Sequence, residues 1–149
     1  MADLVRNCAG GVVFSDGWVF LLKSDKGEWI MPKGVIRDRG NARDVALARV
    51  ESEAGISAEI VGPAGYTRYE FYSQTRRKNV SNRIEWFAMR APDRRYRIAF
   101  EQGFLDGDYY PIDAALKLLT HEQDQAILEN ARAVIESAAK EIRGPSSKK

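Results

Sequence analysis

The chain has 149 residues, 44% of them hydrophobic and 30% charged, with a formal net charge of +2. That is chain enough for one ordinary domain with a real core, and the near-neutral balance argues neither for nor against a polyanionic partner. One cysteine, Cys8, and one histidine, His121, exclude a disulfide framework, a multi-cysteine zinc site and any multi-histidine mechanism. No apolar run reaches the ~18 residues of a membrane span. The N-terminal stretch carries no signal-peptide pattern, so the expected location is the cytoplasm.

In chain order, GGVVF and WVFLLKS are short β-type runs, and Asp16-Gly17 between them signals a hairpin. Cys8, just before the first run, reads as a small buried thiol. After Gly40 the period becomes helical. Asn41 with Asp44 three residues on resembles a helix start; Ala42, Val45, Ala46, Val50 and Ala54 recur at helical spacing, and Gly55 closes the element. AEIVGPAGYTRYEFYS returns to strand character and RIEWFAMRA is its expected partner, with QTRRKNVSN as a basic turn between them. YRIAF is expected to form a further short strand and PIDAALKLL a short helix. Thr120 with Gln123 reads as a capping box opening a longer helix. Its stripe Ile127, Ala131, Val134, Ile135, Ala138 and Ile142 is expected to pack on the sheet. Strands, helix, strands, then helices imply a mixed sheet covered on both sides, an α/β/α sandwich of the α/β (α+β) class. One domain over residues 1–143 and a flexible tail over 144–149 are expected.

The stretch GVIRDRGNARDVALARVESEAGI, Gly34 to Ile56, resembles a Nudix box. Gly34 and Gly55 fall on its two glycines without a gap, Val50 and Ile56 on its aliphatic positions, and Glu53 on its last glutamate. The flanks agree. GEWIMPKG resembles the Trp-x-x-Pro-Lys-Gly lead-in, and YYPIDAALKLLT resembles the later aromatic-x-Pro-x-Asp-x-Ala segment, with Tyr109 at the usual tryptophan position. The resemblance covers roughly residues 8 to 135. It implies a Nudix-type sandwich that cleaves a phosphoanhydride bond in a nucleotide or polyphosphate compound, a nucleoside diphosphate linked to another moiety. It implies a divalent ion, magnesium or manganese, and a small phosphorylated molecule as partner. Carried over by position, Glu53 is principal metal ligand and base, the Gly34 carbonyl a second ligand and Lys33 a phosphate neighbour; the family often takes a further ligand from later segments, and of the later acids, none aligned to a family position, Glu101 is the preferred further base or ligand.

The box is degenerate. Gly40 replaces its first glutamate, Ala48 its arginine, Arg49 the next glutamate and Ser52 the first of its paired glutamates. Anhydride hydrolysis builds negative charge on phosphate oxygens, which hard divalent cations neutralise. Positions 49, 52 and 53 share one helix face, and here that face reads Arg, Ser, Glu: a poor cage for several metal ions, leaving at most a single ion. Glu51 points elsewhere, roughly 200° from Arg49 around the helix. Asp38, Glu85, Asp106 and Asp108 are the other acids outside the helix that could contribute.

Arg49 has two readings. The favoured one is an i, i+4 pair with Glu53, worth ~0.2–0.5 kcal/mol when exposed. The other has its guanidinium bind phosphate. The segment from Tyr66 to Arg83 carries Arg68, Arg76, Arg77 and Lys78, a candidate rim for a phosphate tail, and is loosely similar to the diadenosine-polyphosphate and diphosphoinositol-phosphate branches. Its tyrosines, Tyr66, Tyr69 and Tyr72, are expected to face the core rather than stack on a base. Two functions follow: a Nudix-type pyrophosphohydrolase, or a catalytically impaired module binding a phosphorylated ligand through Arg49, Lys33 and the turn Arg76, Arg77, Lys78. The overall charge does not favour nucleic acid as partner. The oligomeric state is left open, a dimer being one alternative.

Overall fold

The computed structural model describes residues 3–147, with side chains as far as Glu141. β1 (Leu4–Ser15) and β2 (Trp18–Lys23) form the expected hairpin, Phe14 opposite Val19 and Ser15 opposite Trp18. Its Asp16-Gly17 turn has φ of 47° and 81°, the left-handed pair whose twist suits a two-residue hairpin.

β1 is the spine of the sheet. After β3 (Trp29–Ile30), β4 (Lys33–Val35) lies antiparallel to β1, Ala9 opposite Gly34. β5 (Glu59–Ser73) turns back at residues 74–77 into β6 (Lys78–Arg90). β6 then runs parallel to β1, from Leu4 opposite Val80 to Phe14 opposite Arg90. β7 (Asp106–Pro111) pairs with β2. Among the described residues the main path is β3-β2-β1-β6-β5, a mixed sheet as expected.

Period-2 alternation along β1 divides the core. Cys8, Val12 and Phe14 join Leu21, Trp86 and the α3 (Glu122–Ser147) residues Ile127, Leu128 and Ala131 in one layer. Ala9 and Val13 join Phe20, Met89 and the α1 (Ala42–Ala54) residues Ala46, Val50 and Ala54 in the other. With α2 (Ile112–Leu118) also docked in the first layer through Ala115, the chain is the sandwich its pattern implies. The α3 stripe packs as expected; Leu128, outside that stripe, is also fully buried, and the side chain of Ile142 lies outside the described residues. The backbone continues α3 through Ser147, past Gly144 where the tail was expected to begin; Lys148 and Lys149 lie outside the described residues.

α1 starts and stops as read. The Asn41 side chain accepts a hydrogen bond from the Asp44 amide at 2.9 Å and donates one to its carboxylate at 2.8 Å. Gly55 takes φ 65° and donates to the Glu51 carbonyl.

Four local expectations are corrected. YRIAF is not a strand. The Arg97 and Ala99 amides donate to the Ala54 and Glu53 carbonyls, so the segment satisfies the open end of α1, and a short 3-10 turn, Phe100–Gln102, follows. Thr120 and Gln123 form no capping box: the Thr120 hydroxyl accepts from the Trp29 amide, and Gln123 bonds both backbone groups of Arg68. Lys78 to Asn82, read as turn, belong to β6 because the hairpin is tighter than its polar composition suggests. Tyr66, Tyr69 and Tyr72 do not face the core. They are 55%, 40% and 53% exposed, because the far half of β5 extends beyond its helix cover.

Candidate functional site

The structure brings Gly34, Arg49 and Glu53 together. α1 and β4 both pack against β1, and the side chain of Arg49 lies directly over Gly34: a Cβ there would overlap its Cγ, Cδ and Nε atoms. Glycine at this position lets the Arg49 side chain lie against the backbone. Arg49 Nη1 stands 3.6 Å from Glu53 Oε2, the predicted i, i+4 pair. Their exposures differ sharply, 35% for the Arg49 side chain and 7% for Glu53. Burial pushes the Glu53 carboxyl up to about 7, opposed by the charges of Arg49 and Lys33 and by the Lys33 backbone amide.

Lys33, on β4, links this corner to a cleft of about 650 Å³ on the α3 side of the sheet. Its charge acts on Glu53 and also on Asp124 in the first turn of α3. The floor of the cleft includes Trp86, whose indole N–H donates to the Thr67 hydroxyl at 2.9 Å, and Asn82. Asn82 accepts from Arg6 Nε and donates to the Tyr69 hydroxyl, both at 2.9 Å. Tyr69 and Phe71 stack in one wall, ring centres 6.1 Å apart. Asp124 reaches in from α3, its carboxyl raised by burial against the pull of Lys33 and His121. His121 itself bonds Glu28 at 3.1 Å. The cleft is lined by the cations Arg6, Lys26 and Lys33, the acids Asp25, Glu28, Glu70 and Asp124, and the faces of Tyr69 and Phe71, a mixed polar and aromatic lining that suits a planar ring with a charged substituent.

Other residues singled out in the sequence lie elsewhere. Arg68, Arg76, Arg77 and Lys78 are exposed and do not line the cleft; Arg6 and Lys26 are the cations that do, beside Lys33. Glu101 is exposed in the 3-10 turn. The neighbouring Gln102 ties that turn to Ser52, its amide donating at 3.2 Å to both the backbone and hydroxyl oxygens. Glu51 and Asp38 are exposed. Asn82, Phe71 and Asp124 carried no signal in the sequence, and Tyr69 was expected in the core: β5 and β6 alternate correctly, but which face meets the start of α3 is a tertiary fact.

Among the described residues, no group of three or more His, Cys, Asp or Glu side chains could hold a metal ion. A magnesium ion asks for octahedral oxygen coordination with one or two carboxylates among its ligands. Here the one box carboxylate is buried and paired with a cation whose side chain fills the space over Gly34. The residues present do not fit a Nudix-type metal centre.

The architecture matches solved structures closely. The E. coli dihydroneopterin triphosphate pyrophosphohydrolase superimposes with a TM-score of 0.70 at 16% identity, over 90% of this chain and 99% of that one. A NUDIX hydrolase from Nitrosomonas europaea gives 0.67 at 16%, over 91% and 73%. This is the Nudix fold. The C. elegans Ap4A hydrolase, in a binary complex, shares the Nudix fold at a TM-score of 0.66 and 15% identity, over 89% and 98%. No family model matches the sequence, in keeping with a Nudix box that has kept its glycines and aliphatic positions and lost its acids. Among the described residues no helix is long and apolar enough to cross a membrane.

Proposed function

We propose that this chain takes up a nucleotide-type phosphoanhydride compound in the cleft and hydrolyses it, as a Nudix-type pyrophosphohydrolase. The phosphates lie at Lys33 and the Gly34 corner, and the ring lies along Tyr69 and Phe71. The observation that carries the reading is the position of Lys33: it lines the ring-sized cleft and acts electrostatically on Glu53. A carboxylate pushed up to about 7 suits a general base at neutral pH. Glu53 would take the proton of the attacking water as the new P–O bond forms and the bridging P–O bond breaks. The dihydroneopterin triphosphate and Ap4A enzymes of the same fold bear names that fit such substrates.

A second reading is favoured by one specific observation. Glu53 is buried and paired with Arg49, and among the described residues no group of three acids could hold a metal ion, so a module that binds the same class of compound without turnover also fits. One experiment separates the two. The chain is incubated with dinucleoside polyphosphates, nucleoside triphosphates and nucleoside diphosphate sugars, with and without magnesium or manganese. Phosphate release and ligand-induced thermal stabilisation are then measured. Turnover abolished by Glu53→Gln supports the hydrolase; stabilisation without turnover supports the module; neither overturns both.

A further inference from the structure

We infer that Arg49 holds phosphate directly where a Nudix box places metal, so that an inorganic polyphosphate binds this chain without a divalent ion. The inference rests on the reading that the Gly34 corner is where phosphate is received.

Three features of the corner support it. First, the Arg49 side chain is laid directly over Gly34, in the space a Cβ there would enter; the cation lies against the box glycine itself. Second, Arg49 is the exposed member of its ion pair, 35% against 7% for Glu53, so an incoming anion meets the cation before it meets the acid. Third, the pair is loose. At 3.6 Å it lacks the ~2.7–2.9 Å contacts of a bidentate guanidinium–carboxylate fork, leaving donors free to engage a phosphate in that geometry. Lys33 adds a second positive charge beside it, close enough to act on Glu53. Lys33 is shared between Glu53 and Asp124, so Arg49 is the cation this corner offers an anion, whereas a metal-carried box is acidic until its ion binds. Among the described residues the absence of a three-acid group completes the exchange of roles: the acids are gone and a fixed cation stands in their place.

The probe is sodium tripolyphosphate, titrated into the full chain by calorimetry in EDTA and again in magnesium. The expected result is binding in EDTA, within about threefold of that in magnesium. Arg49→Gln should lower the affinity tenfold or more, about the 1.4 kcal/mol that tenfold represents. Arg49→Lys should restore only part of it, because an ammonium lacks the planar fork. Circular dichroism and melting of each variant establish that it is folded, and Arg49→Lys keeps the charge should the glutamine variant fold poorly. Binding that appears only with magnesium, or an affinity in EDTA unchanged by folded Arg49→Gln, would overturn the inference. If nucleotide compounds are bound or cleaved in magnesium while tripolyphosphate fails in EDTA, the inference falls and the functional reading stands. If tripolyphosphate binds in EDTA through Arg49 and no nucleotide compound does, the reverse holds.

Discussion

Glu53 is the residue on which the corner turns, and its burial has a measurable cost. Its carboxyl is raised from 4.5 to about 7, first by desolvation. Below pH 4.5 it carries a proton both folded and unfolded. As pH rises from 4.5 to about 7 the unfolded chain gives that proton up while the folded chain retains it, so this group's contribution to stability is lost across that window and stays lost above it. The total is on the order of 3 kcal/mol. Glu53→Gln should therefore be more stable than the parent at pH 8 by up to about that amount, and nearly equal to it at pH 4, in urea denaturation. A parent whose stability shows no fall between pH 4.5 and 7.5 relative to the variant would contradict the burial argument. Gly34 is the other decisive residue. Gly34→Ala should force the Arg49 side chain off its path, costing less than about 1 kcal/mol because a flexible, partly exposed side chain with a loose ion pair can move, which thermal melts of the two proteins compare.

At the scale of elements, α1 is specified locally and α3 is not. Asn41 caps α1 with bonds at 2.9 and 2.8 Å, and Asn41→Ala should cost about 1 kcal/mol, read as a lower urea midpoint. The capping box expected at Thr120 and Gln123 had the right residue types, yet both are spent on tertiary contacts. Gln123 satisfies the Arg68 amide and carbonyl at the free edge of β5, standing in for a neighbouring strand. Gln123→Ala should speed amide hydrogen exchange at Arg68 at least tenfold, an opening about 1.4 kcal/mol easier, and leave the Ala46 and Val50 amides of α1 unchanged. Equal exchange at Arg68 in both proteins would show that α3 does not hold that edge. YRIAF illustrates the same limit: an alternating apolar pattern lost to two orphan carbonyls at the end of α1.

For the whole molecule, the sheet binds two core layers into one unit. Leu128 on α3 and Val50 on α1, both fully buried, belong to different layers. Leu128→Ala should cost about 2–5 kcal/mol and still unfold in a single transition by both fluorescence and circular dichroism. Two separated transitions would mean that the layers unfold independently. Such cooperativity follows from β1, whose alternate residues enter both layers and whose edges pair with β2, β4 and β6.

What the sequence determined by itself is whatever neighbouring residues decide among themselves. The Asp16-Gly17 hairpin, the span of α1 from its Asn41 cap to Gly55, and the Arg49–Glu53 pair are all short-range consequences of residue type and spacing. The resemblance to a Nudix box added the fold and the corner at Gly34, because glycines and aliphatic positions report packing even after the acids have changed. Tertiary structure alone decided the rest. Parallel pairing of β1 with β6 joins strands more than 70 residues apart, and no local pattern encodes such a partner. That pairing, with the docking of α3, puts Tyr69, Phe71, Asn82 and Asp124 around one cleft and leaves the basic turn outside it. Side-chain alternation says that a strand has two faces; only the packing of distant elements says which face meets a ligand.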